Sequence, residues 1–140
     1  MTPRAMLACC ALAMGVLTAV GCDDAATATS PTVTSPVTET FAGQFAVGGA
    51  AARSFSSASA GTATITLTQI GPPADVTIGI GIGIPQSDGS GCYLTQSVTA
   101  GAAAAPQLTA AVEAGTYCVR LFDTGALTSQ VAFSVTIVRP

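Results

Sequence analysis

The chain has 140 residues, of which 49% are hydrophobic and 8% charged, and its formal net charge is −3. It contains no histidine and no lysine, and its four arginines are scattered along the sequence. A basic face for nucleic acid is therefore not expected, because neutralising phosphates needs several cations on one surface. Without histidine, the usual Ser–His and Cys–His nucleophilic pairs are unavailable, so we do not expect an enzyme.

The first residues predict an export signal. Arg4 precedes an apolar segment of 15 residues, from Met6 to Val20, which is shorter than the roughly 20 residues of a membrane-spanning helix. The segment ends in Ala19-Val20-Gly21-Cys22, which resembles a bacterial lipobox, where the cysteine is acylated and carries palmitate. The alternative is an ordinary signal-peptidase cleavage site, because the small residues Ala19 and Gly21 suit that enzyme as well. Both interpretations predict a signal peptide over residues 1–21.

The number of cysteines favours the lipoprotein. Cys9 and Cys10 would leave with the signal, which keeps Cys22, Cys92 and Cys118 in the mature chain. Three cysteines cannot all form disulfides with one another in an oxidising compartment. The odd number is explained if Cys22 is lipidated and the other two form a disulfide. We therefore predict a cell-envelope protein held on a membrane by a lipid at Cys22, with soluble secretion as the alternative.

A linker follows the anchor. Between Asp23 and Thr40, eight of 18 residues are Ser or Thr and two are Pro, without a hydrophobic period. This composition is typical of flexible spacers, so residues 22–40 are predicted to be the lipidated cysteine and linker, and residues 41–140 the folded domain.

Residues 41–140 show the alternation of short antiparallel strands. Between Thr62 and Thr68, for example, Ala63, Ile65 and Leu67 face one way and threonines the other. About eight such segments, separated by Gly- and Pro-containing turns, predict an all-β domain. We expect an antiparallel β-sandwich with a jelly-roll-like arrangement.

One predicted strand has an unusual second face. Its apolar stripe consists of Val76, Ile78, Ile80, Ile82 and Ile84. The opposite face carries Thr77 and then glycines at 79, 81 and 83. Such a bare face could be a flat platform for a ligand, or it could be open. Close packing of a neighbouring element is the interpretation that strand glycines favour.

Two further segments, 108–112 and 117–121, predict a hairpin. Glu113-Ala114-Gly115 would form the turn, with Gly115 supplying a positive φ. If Tyr117 points into the core, Cys118 points away from it. Its partner Cys92 should then lie beside or across that face and attach the loop of residues 87–91 to the hairpin.

The acidic residues do not predict a catalytic pair or a metal site. Asp75, Asp88, Glu113 and Asp123 are isolated in sequence, and each lies at a predicted turn or strand end. Asp88 could offer oxygen to calcium, but that ion needs six to eight oxygen ligands, so an ordinary turn is favoured. We predict no cofactor.

The domain resembles the bacterial pre-peptidase C-terminal domain. The segments that carry the resemblance are Phe41-Ala42-Gly43, Arg53-Ser54-Phe55, the threonine-rich run from Thr62 to Leu67, and the run from Ala114 to Leu121. The resemblance implies a non-catalytic β-sandwich, and related modules bind collagen, polysaccharide or calcium. We therefore expect a lipid-anchored extracytoplasmic binding or adhesion module, with a polysaccharide or protein as its partner. The alternative is a structural envelope lipoprotein without a specific ligand.

Overall fold

The computed structural model describes residues 34–140. The predicted signal peptide, the lipidation site Cys22 and the linker up to residue 33 lie outside the described residues. Regular structure between 34 and 140 consists of eight β-strands. No helix in this part of the chain is long and apolar enough for a membrane span.

The strands form two antiparallel sheets of four. In chain order they are β1 (Val37–Phe45), β2 (Ala50–Ser57), β3 (Gly61–Gly71), β4 (Ile78–Pro85), β5 (Cys92–Ala100), β6 (Leu108–Val112), β7 (Gly115–Phe122) and β8 (Val131–Arg139). The first sheet has the order β1-β8-β3-β6 and the second the order β2-β7-β4-β5. Eight strands divided in this way form a jelly roll, which confirms the predicted all-β sandwich.

Alternating side chains of both sheets fill the space between them. The largest side chains that are fully buried there are Ile65, Leu67, Ile78, Ile80, Ile82, Leu121, Ile137, Val119, Val131 and Val135. At the side of the first sheet, the rings of Phe41 and Phe133 meet edge to face with centroids 5.0 Å apart. Burying each such side chain is worth about 1.5–3 kcal/mol, so this interior is the main stabilising element.

The first strand begins earlier than predicted. Residues 37–40, assigned from composition to the linker, pair with the end of β8, where Val37 lies opposite Arg139. The strand is mostly exposed there, so it lacks the apolar alternation that marks a strand in sequence. Glu39 adds ion pairs of 3.1 Å to both Arg53 and Arg139.

The predicted hairpin of residues 108–121 is wrong. β6 pairs only with β3, whereas β7 lies between β2 and β4, so the chain passes from one sheet to the other at Glu113 and Ala114. Gly115 is not among the glycines with positive φ. The Tyr117 hydroxyl accepts a hydrogen bond of 2.8 Å from the Glu113 N–H, as in the tyrosine corners of other sandwiches.

The faces of β7 and most of the isoleucine stripe are as predicted. Val119 and Leu121 are fully buried in the core, and Cys118 is on the opposite face. Ile84 differs, because 48% of it is exposed. Pairing between β4 and β7 ends at Gly83 and Cys118, so Ile84 extends past the neighbouring strand that covers the rest of the stripe.

Candidate binding site

The outer face of the second sheet is built on the glycines of β4. In the register between β4 and β7, Gly79 lies opposite Phe122, Gly81 opposite Arg120, and Gly83 opposite Cys118. Each outward side chain of β7 therefore stands beside a residue without a β-carbon. This leaves room for side chains to lie flat over the backbone of β4.

Neighbouring groups occupy that room. A β-carbon at Gly79 would overlap the Phe122 ring, and one at Gly81 would come within 2.7 Å of a methyl carbon of Leu94. At Gly83, it would overlap the backbone carbonyl of Tyr93. Close packing is thus the correct interpretation of the glycines. The flat ligand platform and the open face are both wrong.

The predicted disulfide crosses this surface. Cys92 begins β5 on one side of β4, and Cys118 belongs to β7 on the other side, yet their Cα atoms are 5.9 Å apart and the two residues are bonded. The start of β5 reaches so far because it lies directly against the bare backbone of Gly83. The predicted pairing, and the placement of Cys92 across the outer face, are confirmed.

The disulfide holds the β4–β5 loop over a small polar pocket. The loop contributes Gln86, Ser90 and Gly91, and the sheet contributes Arg120 and the three alanines at 50–52. The pocket has a volume of about 320 Å³. Gln86 and Ser90 offer neutral hydrogen-bonding groups beside the guanidinium, so the pocket suits a small polar ligand.

Arg120 differs in its electrostatics from the other two arginines of residues 34–140. Arg53 and Arg139 share the carboxylate of Glu39, but no carboxylate of the described chain lies within 4.0 Å of the Arg120 guanidinium. Its Cζ atom lies 5.9 Å from the centroid of the Phe122 ring, a cation–π contact that leaves the in-plane N–H groups available. Arg120 is half-buried, so it presents a partly desolvated positive charge to the pocket.

Hydrogen bonds fix the shape of the loop. Asp88 Oδ1 accepts the Ser90 N–H at 2.9 Å, and the Ser90 hydroxyl lies 2.7 Å from both Asp88 Oδ1 and Gln86 Oε1. The bonds from Ser90 lower the pKa of Asp88, so its carboxylate stays ionised. Gly89 takes the positive φ that the turn needs. Asp88 therefore lies in a hydrogen-bonded turn between β4 and β5.

The remaining acidic residues of the described chain do not join this site. Asp123 accepts backbone N–H groups from Gly48, Gly125, Ala126 and Leu127, and the bond from Gly48 is the largest cause of its lowered pKa. Asp123 thereby ties the β7–β8 connection to the β1–β2 turn. Between residues 34 and 140, no three His, Cys, Asp or Glu side chains are close enough to hold a metal ion.

A second, larger groove is chemically different. It has a volume of about 450 Å³ and is bordered by the end of β3, the start of β8 and parts of two loops. The residues that line it are Thr68, Gln69, Ile70, Gly71, Ala74, Ala102, Ala132 and Phe133. Because none of these side chains is charged, the groove offers little to orient a ligand. The pocket at Arg120 is therefore the stronger candidate site.

Comparisons with known proteins identify no family for this chain. No family model matches it, and neither the curated proteins nor the solved structures contain a match. The resemblance to the pre-peptidase C-terminal domain stays a prediction. In the sequence, Arg120 is one of four scattered cations, because the glycine beside it and the loop above it become its neighbours only in the folded chain.

Proposed function

We propose that this chain is a lipid-anchored, non-catalytic binding or adhesion module of the bacterial cell envelope. The observation that carries the proposal is the polar pocket at Arg120, where an arginine with no carboxylate partner among residues 34–140 faces a loop held by a disulfide. The leading sequence adds the location, because the segment ending at Cys22 resembles a lipobox and is followed by a Ser/Thr/Pro-rich spacer.

The rigidity of the site supports binding. The disulfide, the bonds of Ser90 to Asp88, and the contact between Arg120 and Phe122 each restrict one wall of the pocket before a ligand arrives. Association costs less conformational entropy when the site is already ordered. The linker, if flexible, would let this preformed site reach ligands away from the lipid surface.

The binding test uses the full lipidated protein in detergent micelles. We expect saturable binding to at least one member of a panel of purified envelope polysaccharides and neutral and acidic reference polysaccharides, measured by biolayer interferometry. The control is the same protein unfolded with reductant and denaturant before immobilisation. Absence of saturable binding across the panel would contradict the proposal and favour the structural envelope lipoprotein.

The anchor is tested at Cys22. We expect the wild-type protein to enter the detergent phase on phase separation and the Cys22→Ser protein to remain aqueous, because the acyl chains supply the membrane affinity. Cys92→Ala is the matched control, since it also removes one cysteine but leaves the acylation site intact. A wild-type protein found in the aqueous phase would show that the lipoprotein prediction is wrong.

A further inference from the structure

We infer that the Arg120 pocket binds the carboxylate of a sugar acid, one uronic-acid unit of an acidic polysaccharide. This inference rests on the proposed binding function and names its ligand. Arginine presents N–H donors in a planar fork that matches the two oxygens of a carboxylate. In residues 34–140, Arg120 is the arginine whose fork lacks a carboxylate, and it faces a cavity.

The charge around the pocket favours a singly charged ligand. Among residues 34–140, Arg120 is the one cation that lines it, and the loop beside it carries the ionised Asp88. A phosphate monoester brings up to two negative charges and would meet one cation and a nearby carboxylate. A carboxylate brings one charge, which the guanidinium can neutralise by itself.

The remaining lining suits sugar hydroxyls. Gln86 and Ser90 carry an amide and a hydroxyl, and Gly91 lines the pocket beside them. These groups can both donate and accept hydrogen bonds, as ring hydroxyls require. The volume of about 320 Å³ is at the small end of ligand pockets, so it accommodates one ring of a polymer whose neighbouring units stay outside. A glutamate side chain of a peptide carries no hydroxyl groups, so it would make fewer hydrogen bonds to this lining than a sugar ring can.

The test compares polygalacturonate with its methyl-esterified form on wild-type protein. Esterification removes the charge and keeps the ring hydroxyls, so we expect it to weaken binding roughly 10- to 100-fold, the range for one charge-assisted hydrogen-bonded pair. Binding to the acid form should also weaken as sodium chloride rises from about 0.1 M to about 1 M, where screening shortens from about 10 Å to about 3 Å.

Variants locate the site. Arg120→Gln should lose roughly 10- to 100-fold in affinity for polygalacturonate, and Arg120→Lys should recover part of it, since lysine keeps the charge but not the fork. Arg53→Gln is the matched control: it removes the same charge from an exposed arginine of the same sheet, and should bind as wild type does. Thermal melting of each variant establishes that it is folded.

The outcomes separate the inference from the proposed function. Equal binding of the acid and esterified polymers, or unchanged binding by folded Arg120→Gln, would overturn the inference while a binding function stands. Equal affinity for polyglutamate would contradict the assignment of the ligand as a sugar acid and would indicate an acidic peptide instead. If neither these polymers nor the envelope panel bind, the proposed function fails together with the inference.

Discussion

Two connections in this jelly roll differ in their length and in whether they join strands of one sheet or of both sheets. The six residues 86–91 between β4 and β5 return the chain to a neighbouring strand of the same sheet. The two residues Glu113 and Ala114 between β6 and β7 carry it into the opposite sheet. The shorter link therefore makes the larger topological step, and the longer one closes a hairpin.

The two connections are also held by different forces. The first depends on a covalent bond from Cys92 to Cys118 and on the absence of a side chain at Gly83. The second depends on one hydrogen bond, from the Glu113 N–H to the Tyr117 hydroxyl, and on the burial of the strands on either side. Contacts of very different strength thus maintain the two connections, and three variants can rank them.

The largest effect is expected from Cys92→Ala/Cys118→Ala. The bond closes a loop with a sequence separation of 26, for which the chain-entropy estimate is roughly 3–4 kcal/mol. We expect the melting temperature to fall by roughly 10–20 °C and the pocket at Arg120 to lose affinity with it. Non-reducing mass spectrometry of wild type should detect the peptide that joins the two cysteines. Free thiols there, or unchanged melting of the double variant, would refute this role.

Gly83→Ala should have the next largest effect. The new methyl group would overlap the Tyr93 carbonyl, which is backbone and cannot rotate away, so a loss near 3 kcal/mol is expected, at the upper end for overpacking. Gly115→Ala in β7 is the control, because its added carbon would meet only the Tyr117 ring at 3.9 Å. Chemical denaturation compares the two. Similar free energies of unfolding for both variants would contradict the close approach of β5 to Gly83.

The smallest effect is expected at the crossing between sheets. Tyr117→Phe removes the hydrogen bond to Glu113 and keeps the ring, so about 0.5–1.5 kcal/mol should be lost. Tyr93→Phe makes the same chemical change where 67% of the residue is exposed, and should leave the free energy of unfolding unchanged. If both variants are equally stable, the Tyr117 hydroxyl does not secure the corner.

Much of the interior could be predicted from local pattern. Alternation identified most inward side chains of β3, β4 and β7, because a pleated strand sends successive side chains to opposite faces whatever its partner is. The cysteine count identified the disulfide, and the repeated glycines indicated close packing before the neighbours were known. Ile84 escaped this reasoning, since its exposure depends on where β7 stops pairing with β4.

The pairing of the strands was decided by the tertiary structure. A hairpin and a crossing between facing sheets both send Val112, Val119 and Leu121 toward the same core, so the alternation of β6 and β7 is identical in the two cases. Glu113-Ala114-Gly115 contains the glycine that three-residue hairpin turns often use, so local composition did not distinguish the two cases. The start of β1 at Val37, earlier than predicted, was also decided by tertiary structure. Residues 37–40 form a strand through pairing with β8 rather than through burial.

The sequence by itself determined the all-β class, the main inward-facing residues and the Cys92–Cys118 pair, because these follow from periodicity and residue chemistry along the chain. The tertiary structure alone decided the sheet order and the pocket. Arg120 lies opposite Gly81 and beneath a loop some 30 residues earlier, so its surroundings depend on register and on contacts between distant segments. No local pattern encodes those contacts, since every residue offers a backbone carbonyl, and every residue except proline a backbone N–H, for bonding between strands.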